Sequence, residues 1–101
     1  MISLAHPFGT ITVFGGATVD RIARSREKPV MGASNPGSTR RGAGGVGFNV
    51  ALILAHLGLD VRLVTAVGAD ADAELIVATA RGAGVDIEHV VISGEAPSAT
   101  Y

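Results

Sequence analysis

Arg40-Arg41-Gly42-Ala43-Gly44-Gly45-Val46-Gly47-Phe48-Asn49-Val50-Ala51-Leu52-Ile53-Leu54-Ala55-His56-Leu57-Gly58 is the stretch on which the reading of this chain turns. Four glycines fall within its positions 42–47, and an apolar, Ala/Leu-rich run follows. That run is too long for an ordinary strand and holds no proline. Ala51, Leu52, Ala55 and His56 recur at helical spacing, and Gly58 suits a C-terminal cap. A helix start offers unpaired N–H groups and the positive end of a dipole. Glycines beside it let backbone approach a ligand, so the segment predicts a cradle for anions or oxygen-rich groups. Asn49 falls in the first turn, within reach of whatever the glycines hold. On these residues alone a second reading stays open, in which the glycines only let a helix pack closely on a sheet.

Upstream, Ile11-Thr12-Val13-Phe14 is β-branched and aromatic and runs into Gly15-Gly16, which predicts a buried first strand and a tight turn. Thr18 and Asp20 follow two residues apart, hence on one face if the chain stays extended. They lie beyond the carboxyl end of that strand, where open α/β sheets bind their ligands. Asp20 could equally end a strand or cap a turn. Between Arg21 and Arg41 the chain turns polar: Arg21, Arg24, Arg26, Glu27 and Lys28 read as solvated surface charges. Pro29 to Ser38 is rich in turn residues, which predicts a loop or a hairpin projecting from the main sheet. Ser34, Asn35 and Ser38 could bond a polar ligand or merely shape that turn.

Downstream, Asp60–Gly68 predicts a second strand, parallel to the first because a helix separates them. Asp70 and Asp72 read as an N-cap and an acidic first turn rather than metal ligands, for a helix through Arg81 that stops at Gly82 or Gly84. Val85–Ile92 predicts a third strand centred on Val90-Val91-Ile92. Ser98–Tyr101 looks like the start of another. His6, His56 and His89 are scattered without ligand spacing.

Composition narrows the classes. Hydrophobic residues make up 48% of the 101 and aromatic ones only 4%, an aliphatic α/β balance. A net charge of −1 with eight Lys+Arg leaves no basic face for nucleic acid. Without cysteine there are neither disulfides nor thiolate metal sites. Met1–Thr10 carries no Lys or Arg and is interrupted by His6-Pro7, a poor signal peptide. No apolar run approaches membrane-spanning length. The expectation is a soluble, cytoplasmic protein that binds neither nucleic acid nor membrane.

Gly42-Ala43-Gly44-Gly45-Val46-Gly47 also satisfies Gly-x-Gly-x-x-Gly. A dinucleotide-binding fingerprint needs an apolar strand immediately before it. Asn35–Arg41 is polar and turn-rich, so no strand is expected there and a dinucleotide-binding half-domain ranks last. The whole order of elements instead resembles the start of the ribokinase-like (PfkB) sugar kinases. The matching residues are Gly44-Gly45-Val46-Gly47-Phe48-Asn49-Val50-Ala51, Leu57-Gly58 and Ala66-Val67-Gly68-Ala69-Asp70. Further matches are Gly15–Asp20 upstream, and Gly84-Val85-Asp86 and Ala96–Tyr101 downstream. Ser34-Asn35-Pro36-Gly37 looks most like the pseudouridine kinases of that family. Phe48 and Thr18 depart from its usual pattern.

The resemblance implies the N-terminal part of a three-layer α/β/α fold over residues 1–101, with a small β-lid from segments 21–41 and 98–101. It implies that Asp20 accepts hydrogen bonds from sugar hydroxyls with Thr18 nearby. Gly44, Gly45 and Val46 would line the sugar, and Asn49 and Tyr101 would complete the site. It implies ATP and Mg²⁺, held by a C-terminal part that also carries the catalytic base, so that no catalytic residue is expected here. A small sugar or nucleoside is the implied partner, with a homodimer through the lid as a further expectation. Transfer of phosphate by these residues alone is not expected. A non-catalytic sugar-binding module is the alternative.

Overall fold

The computed structural model describes residues 9–101; the first eight, most of the stretch considered as a leader, lie outside it. Strand β1 (Thr10–Phe14) leads by way of Gly15 and Gly16 into β2 (Thr18–Ser25). A connection through residues 26–36 returns as β3 (Gly37–Gly44), antiparallel to β2 with Thr18 opposite Gly44 and Ser25 opposite Gly37. Helix α1 (Val46–His56) then crosses over to β4 (Asp60–Val64), which pairs parallel with β1 from Thr10↔Asp60 to Phe14↔Val64. This is the expected strand–helix–strand crossover.

β5 (Ala66–Gly68) continues past Thr65 and pairs parallel with β6 (Val91–Ser93). Between them lies α2 (Ala71–Gly82), and the described chain ends through β7 (Ala99–Thr100), which returns to lie parallel to β2. The Asp60–Gly68 segment is thus two strands rather than one. Of the expected third strand, only Val91 and Ile92 pair with β5; Asp86 makes a separate bridge to Arg62 of β4.

The core is small and, apart from Phe48, aliphatic: Phe48 and Ala51 of α1, Val61 and Leu63 of β4, Ile76 and Ala80 of α2, with Val19, Val67 and Val85. Both helices close with the same device. Gly58 and Gly84 take φ of 84° and 86°, and the following residues, Leu59 and Val85, donate back to Leu54 and Ala80. Such 6→1 bonds to a left-handed glycine satisfy carbonyls that a helix end leaves open.

Two further expectations need correction, and one open alternative is decided. β1 is not a buried strand: it pairs on one side only, and Phe14 is 77% exposed. A strand does precede the glycine run, because the polar segment Gly37–Gly44 is β3. It pairs as one arm of an antiparallel hairpin and carries Gly42 and Gly44 within it, so it is not the buried parallel strand of a dinucleotide fold. Asn35 shapes the hairpin turn, taking the Val30 N–H at 2.8 Å and donating to the carbonyls of Val30 and Ala33.

Candidate functional site

Side chains alternate across a strand, so Thr18 and Asp20 share one face of β2 while Val19 and Arg21 share the other. Val19 is fully buried, which turns its face toward the core. On the opposite face Thr18 Oγ1 donates to Asp20 Oδ1 at 3.0 Å and fixes the carboxylate. Gly44 stands across from Thr18, and a Cβ there would lie 2.5 Å from Asp20 Oδ2. The carboxylate therefore rests over bare backbone, and the absence of a side chain at 44 is what gives it that place.

The rest of the glycine run divides its labour. Gly45 is the N-cap of α1 at φ 97°, a conformation that L-residues with side chains rarely adopt. Gly47 packs backbone against backbone: a Cβ on it would lie 2.6 Å from both C and Cα of Gly15. The packing reading of the glycines holds at 47, while Gly44 serves the carboxylate.

At the start of α1, the Phe48 N–H is taken by Gly16 O at 3.1 Å and the Asn49 N–H by Gly45 O at 2.9 Å. Among the described residues the N–H groups of Val46 and Gly47 have no hydrogen-bond partner, and no side chain caps the helix. Two donors are thus unpaired immediately after Gly44 and Gly45, at the exposed Val46 and the buried Gly47. Asn49 is exposed in this first turn, and no hydrogen bond joins its side chain to Asp20.

Tyr101 comes to the same place from the far end of the chain. Its N–H donates to Val19 O at 3.0 Å, and its carbonyl accepts the Arg21 N–H at 2.8 Å. Bonds to the residues on either side of Asp20 set Tyr101 level with Asp20 in a parallel pair, where partners share a face. The phenol is almost fully exposed. Thr18, Asp20, Gly44 and Tyr101 are therefore brought together on one sheet face. Gly45, Val46 and Asn49 follow at the adjoining helix start. A shallow cavity of about 230 Å³ beside Asp20 is lined by Ile22, Arg40 and Gly42 as well.

Asp70 holds the returning strand in position. It caps α2 by accepting the Ala73 N–H at 2.8 Å, as expected. It also takes the Ser98 N–H at 2.8 Å and the Ser98 hydroxyl at 2.7 Å, while Ser98 Oγ accepts the Gly68 N–H. The Ser98 backbone donor, the Ser98 hydroxyl and the Ala73 N–H together hold its carboxyl below the ordinary carboxylate range, against a small opposing effect of burial. Ser98 immediately precedes β7, so this clamp fixes the approach of Tyr101. The clamp was not anticipated, because Asp70 and Ser98 are 28 positions apart.

Asp72 lies in the acidic first turn of α2, as expected, and it also does more. Its nearly buried carboxylate accepts from Arg21 at 2.7 and 3.0 Å and from Arg41 at 2.5 Å. Arg21 is accordingly a partner of the body rather than a free surface charge. No helix among the described residues is long and apolar enough to cross a membrane.

The family model described as pfkB family carbohydrate kinase matches residues 9–101. Over 69 residues the chain is 41% identical to YeiI, an uncharacterized sugar kinase of Escherichia coli (strain K12), covering 68% of this chain and 19% of that protein. Over 86 residues it is 33% identical to the pseudouridine kinase of the same organism, covering 84% of this chain and 28% of the relative. A carbohydrate kinase from Agrobacterium tumefaciens superposes with a TM-score of 0.84 at 37% identity, over 90% of this chain and 29% of the other. A fructokinase from Xylella fastidiosa, solved with bound ATP, does so at 0.76 and 31%, over 90% and 28%. The chain thus spans under a third of each of these proteins.

Proposed function

We propose a function from one established premise: the chain belongs to the pfkB family of carbohydrate kinases. Its described part has the fold of the ribokinase-like kinases. In our reading it is the sugar-binding portion of an enzyme that transfers a phosphoryl group from ATP to a hydroxyl of a ribose-type sugar or nucleoside. Pseudouridine is the substrate we favour, supported by the likeness to a pseudouridine kinase. A cytoplasmic location and a homodimer through the lid belong to the same proposal.

The observation that carries it is the carboxylate of Asp20, bonded by Thr18 and seated over Gly44 beside the unpaired N–H groups of Val46 and Gly47. An ionised carboxylate makes strong charge-assisted bonds to hydroxyl donors. The helix-start amides, by contrast, donate to hydroxyl oxygens. Acceptors on one side and donors on the other match a polyhydroxylated ring. Gly45 lets the backbone turn between them, Asn49 adds a further donor and acceptor, and Tyr101 offers a ring for the sugar or its base to lie against. The hairpin of β2 and β3 serves as the lid, excluding water from the reacting hydroxyl.

ATP, with Mg²⁺, supplies the phosphoryl group and neutralises its charge. None of the described residues is assigned to holding either. The chain's own work is to bind and orient the acceptor, and by itself it does not transfer phosphate. Calorimetry with pseudouridine and with ribose, on the wild type and on Asp20→Ala, tests the site. The variant is expected to lose the binding heat, and equal heats would remove Asp20 from the pocket. Incubation with ATP, Mg²⁺ and pseudouridine should give no phosphorylated product; a product would overturn the assignment of catalysis to other residues.

A further inference from the structure

Arg21 and Arg41 stand directly opposite each other in the antiparallel register of β2 and β3. Like charges in that position repel and weaken a hairpin. Here both guanidinium groups close on a single carboxylate, Asp72 in the first turn of α2, whose side chain is only 11% exposed while theirs are 56% and 41%. One anion between two cations turns a repulsive pair into a bridged one.

The placement of this bridge is what gives it a consequence. Every residue from 21 to 42 is exposed, so beyond Val19 and Ala43 the hairpin is not held by packing. Besides its pairing with β7 and Tyr101, the side-chain hydrogen bonds from the hairpin to the helical body among the described residues run to Asp72. Arg21 and Arg41 point to the face opposite Asp20, and each is adjacent in sequence to a residue of the sugar face: Asp20 on β2, Gly42 on β3. Fixing the back of the sheet at that rung fixes the tilt of its front.

We propose that Asp72 is a positioning residue: it latches the stem of the hairpin to α2 and so sets where the Asp20 carboxylate stands over the sugar site. This rests on the reading of Asp20 as the sugar carboxylate. The latch itself is a property of the free protein.

The test is Asp72→Asn, with backbone hydrogen exchange and sugar calorimetry as separate readouts. Amides of Ile22–Ser25 and Gly37–Arg40 should exchange faster while those of β1 and β4 keep their rates, and pseudouridine affinity should fall about tenfold or more. Asp72→Glu, which keeps the charge, should recover part of that affinity. Unchanged exchange in the hairpin overturns the latch. Faster exchange with unaltered affinity overturns its positioning role. Should Asp72→Asn loosen the whole molecule, Arg21→Gln decides the matter, since it leaves Arg41 on Asp72 and the carboxylate still paired. A wild-type protein that binds no sugar would count against Asp20 and the site, whereas the exchange pattern would still judge the latch without any ligand.

Discussion

Gly44 and Gly47 lie three positions apart and look alike in the sequence, yet a methyl group added to each meets different matter. At 44 it meets the far end of the Asp20 side chain, which can swing aside. At 47 it meets the main chain of Gly15, which cannot. Gly44→Ala should therefore leave the fold close to wild type while pushing the carboxylate off its seat, and sugar affinity should drop about tenfold or more. Gly47→Ala should instead destabilise by about 3 kcal/mol, the upper end for overpacking, and lower the melting temperature by roughly 12–24 °C. Thermal unfolding and calorimetry on the pair separate the two roles, and equal losses of stability would refute the division. The glycine pattern was legible as bare backbone placed before a helix. Which glycine serves packing and which serves the carboxylate depends on neighbours at positions 15 and 20, supplied by another strand.

At the scale of elements, what was readable was local. The crossover, both helices and their glycine stops follow from periodicity and capping residues within a few positions of one another. β3 was legible only as one of two alternatives, a projecting hairpin or a loop, because Gly37–Gly44 carries neither alternation nor β-branched residues beyond Thr39; its strand is imposed by pairing with β2. Asp72 was read rightly as part of an acidic first turn, but its ion pairs were not legible, since its partners lie 51 and 31 positions away. Asp70 was read correctly as a cap, but its grip on Ser98 again spans distant positions and ties three elements at one carboxylate. That grip is pH-dependent. The folded carboxyl titrates below its unfolded value of about 3.9, so its stabilising contribution is present above that value and is lost as pH falls through the lower, folded one. Asp70→Asn should thus be less stable than wild type at neutral pH, with the gap closing as the solution is taken below about pH 4. Thermal unfolding across that range checks it. A gap that stayed constant into acid would mean that the charge of Asp70 contributes nothing to the clamp.

The described residues form an extended body, with principal dimensions of 57 × 36 × 17 Å and a radius of gyration of 16.7 Å. A compact domain of this length has about 13 Å. The projecting hairpin accounts for part of the difference, and an uncovered helix face goes with it. Val46, Val50, Ile53 and Leu57 recur at steps of four, three and four along α1, and all are exposed. That is the spacing of a stripe made to be buried. Phe14 is exposed at the end of β1, which has β4 on one side and no strand on the other among the described residues. An open strand edge and an apolar stripe together favour association. The protein should accordingly form oligomers at micromolar concentrations, driven by burial of these side chains at about 25 cal/mol per Å². Lysine keeps helix propensity while denying that burial. Val50→Lys combined with Ile53→Lys should therefore shift the protein toward monomer in sedimentation velocity, without loss of helical circular dichroism. The added charges lie outside the proposed sugar site, so any binding heat per chain should persist. A wild type that sediments as a monomer throughout, or a double variant that associates as strongly as before, would show that this face is not what brings the chains together.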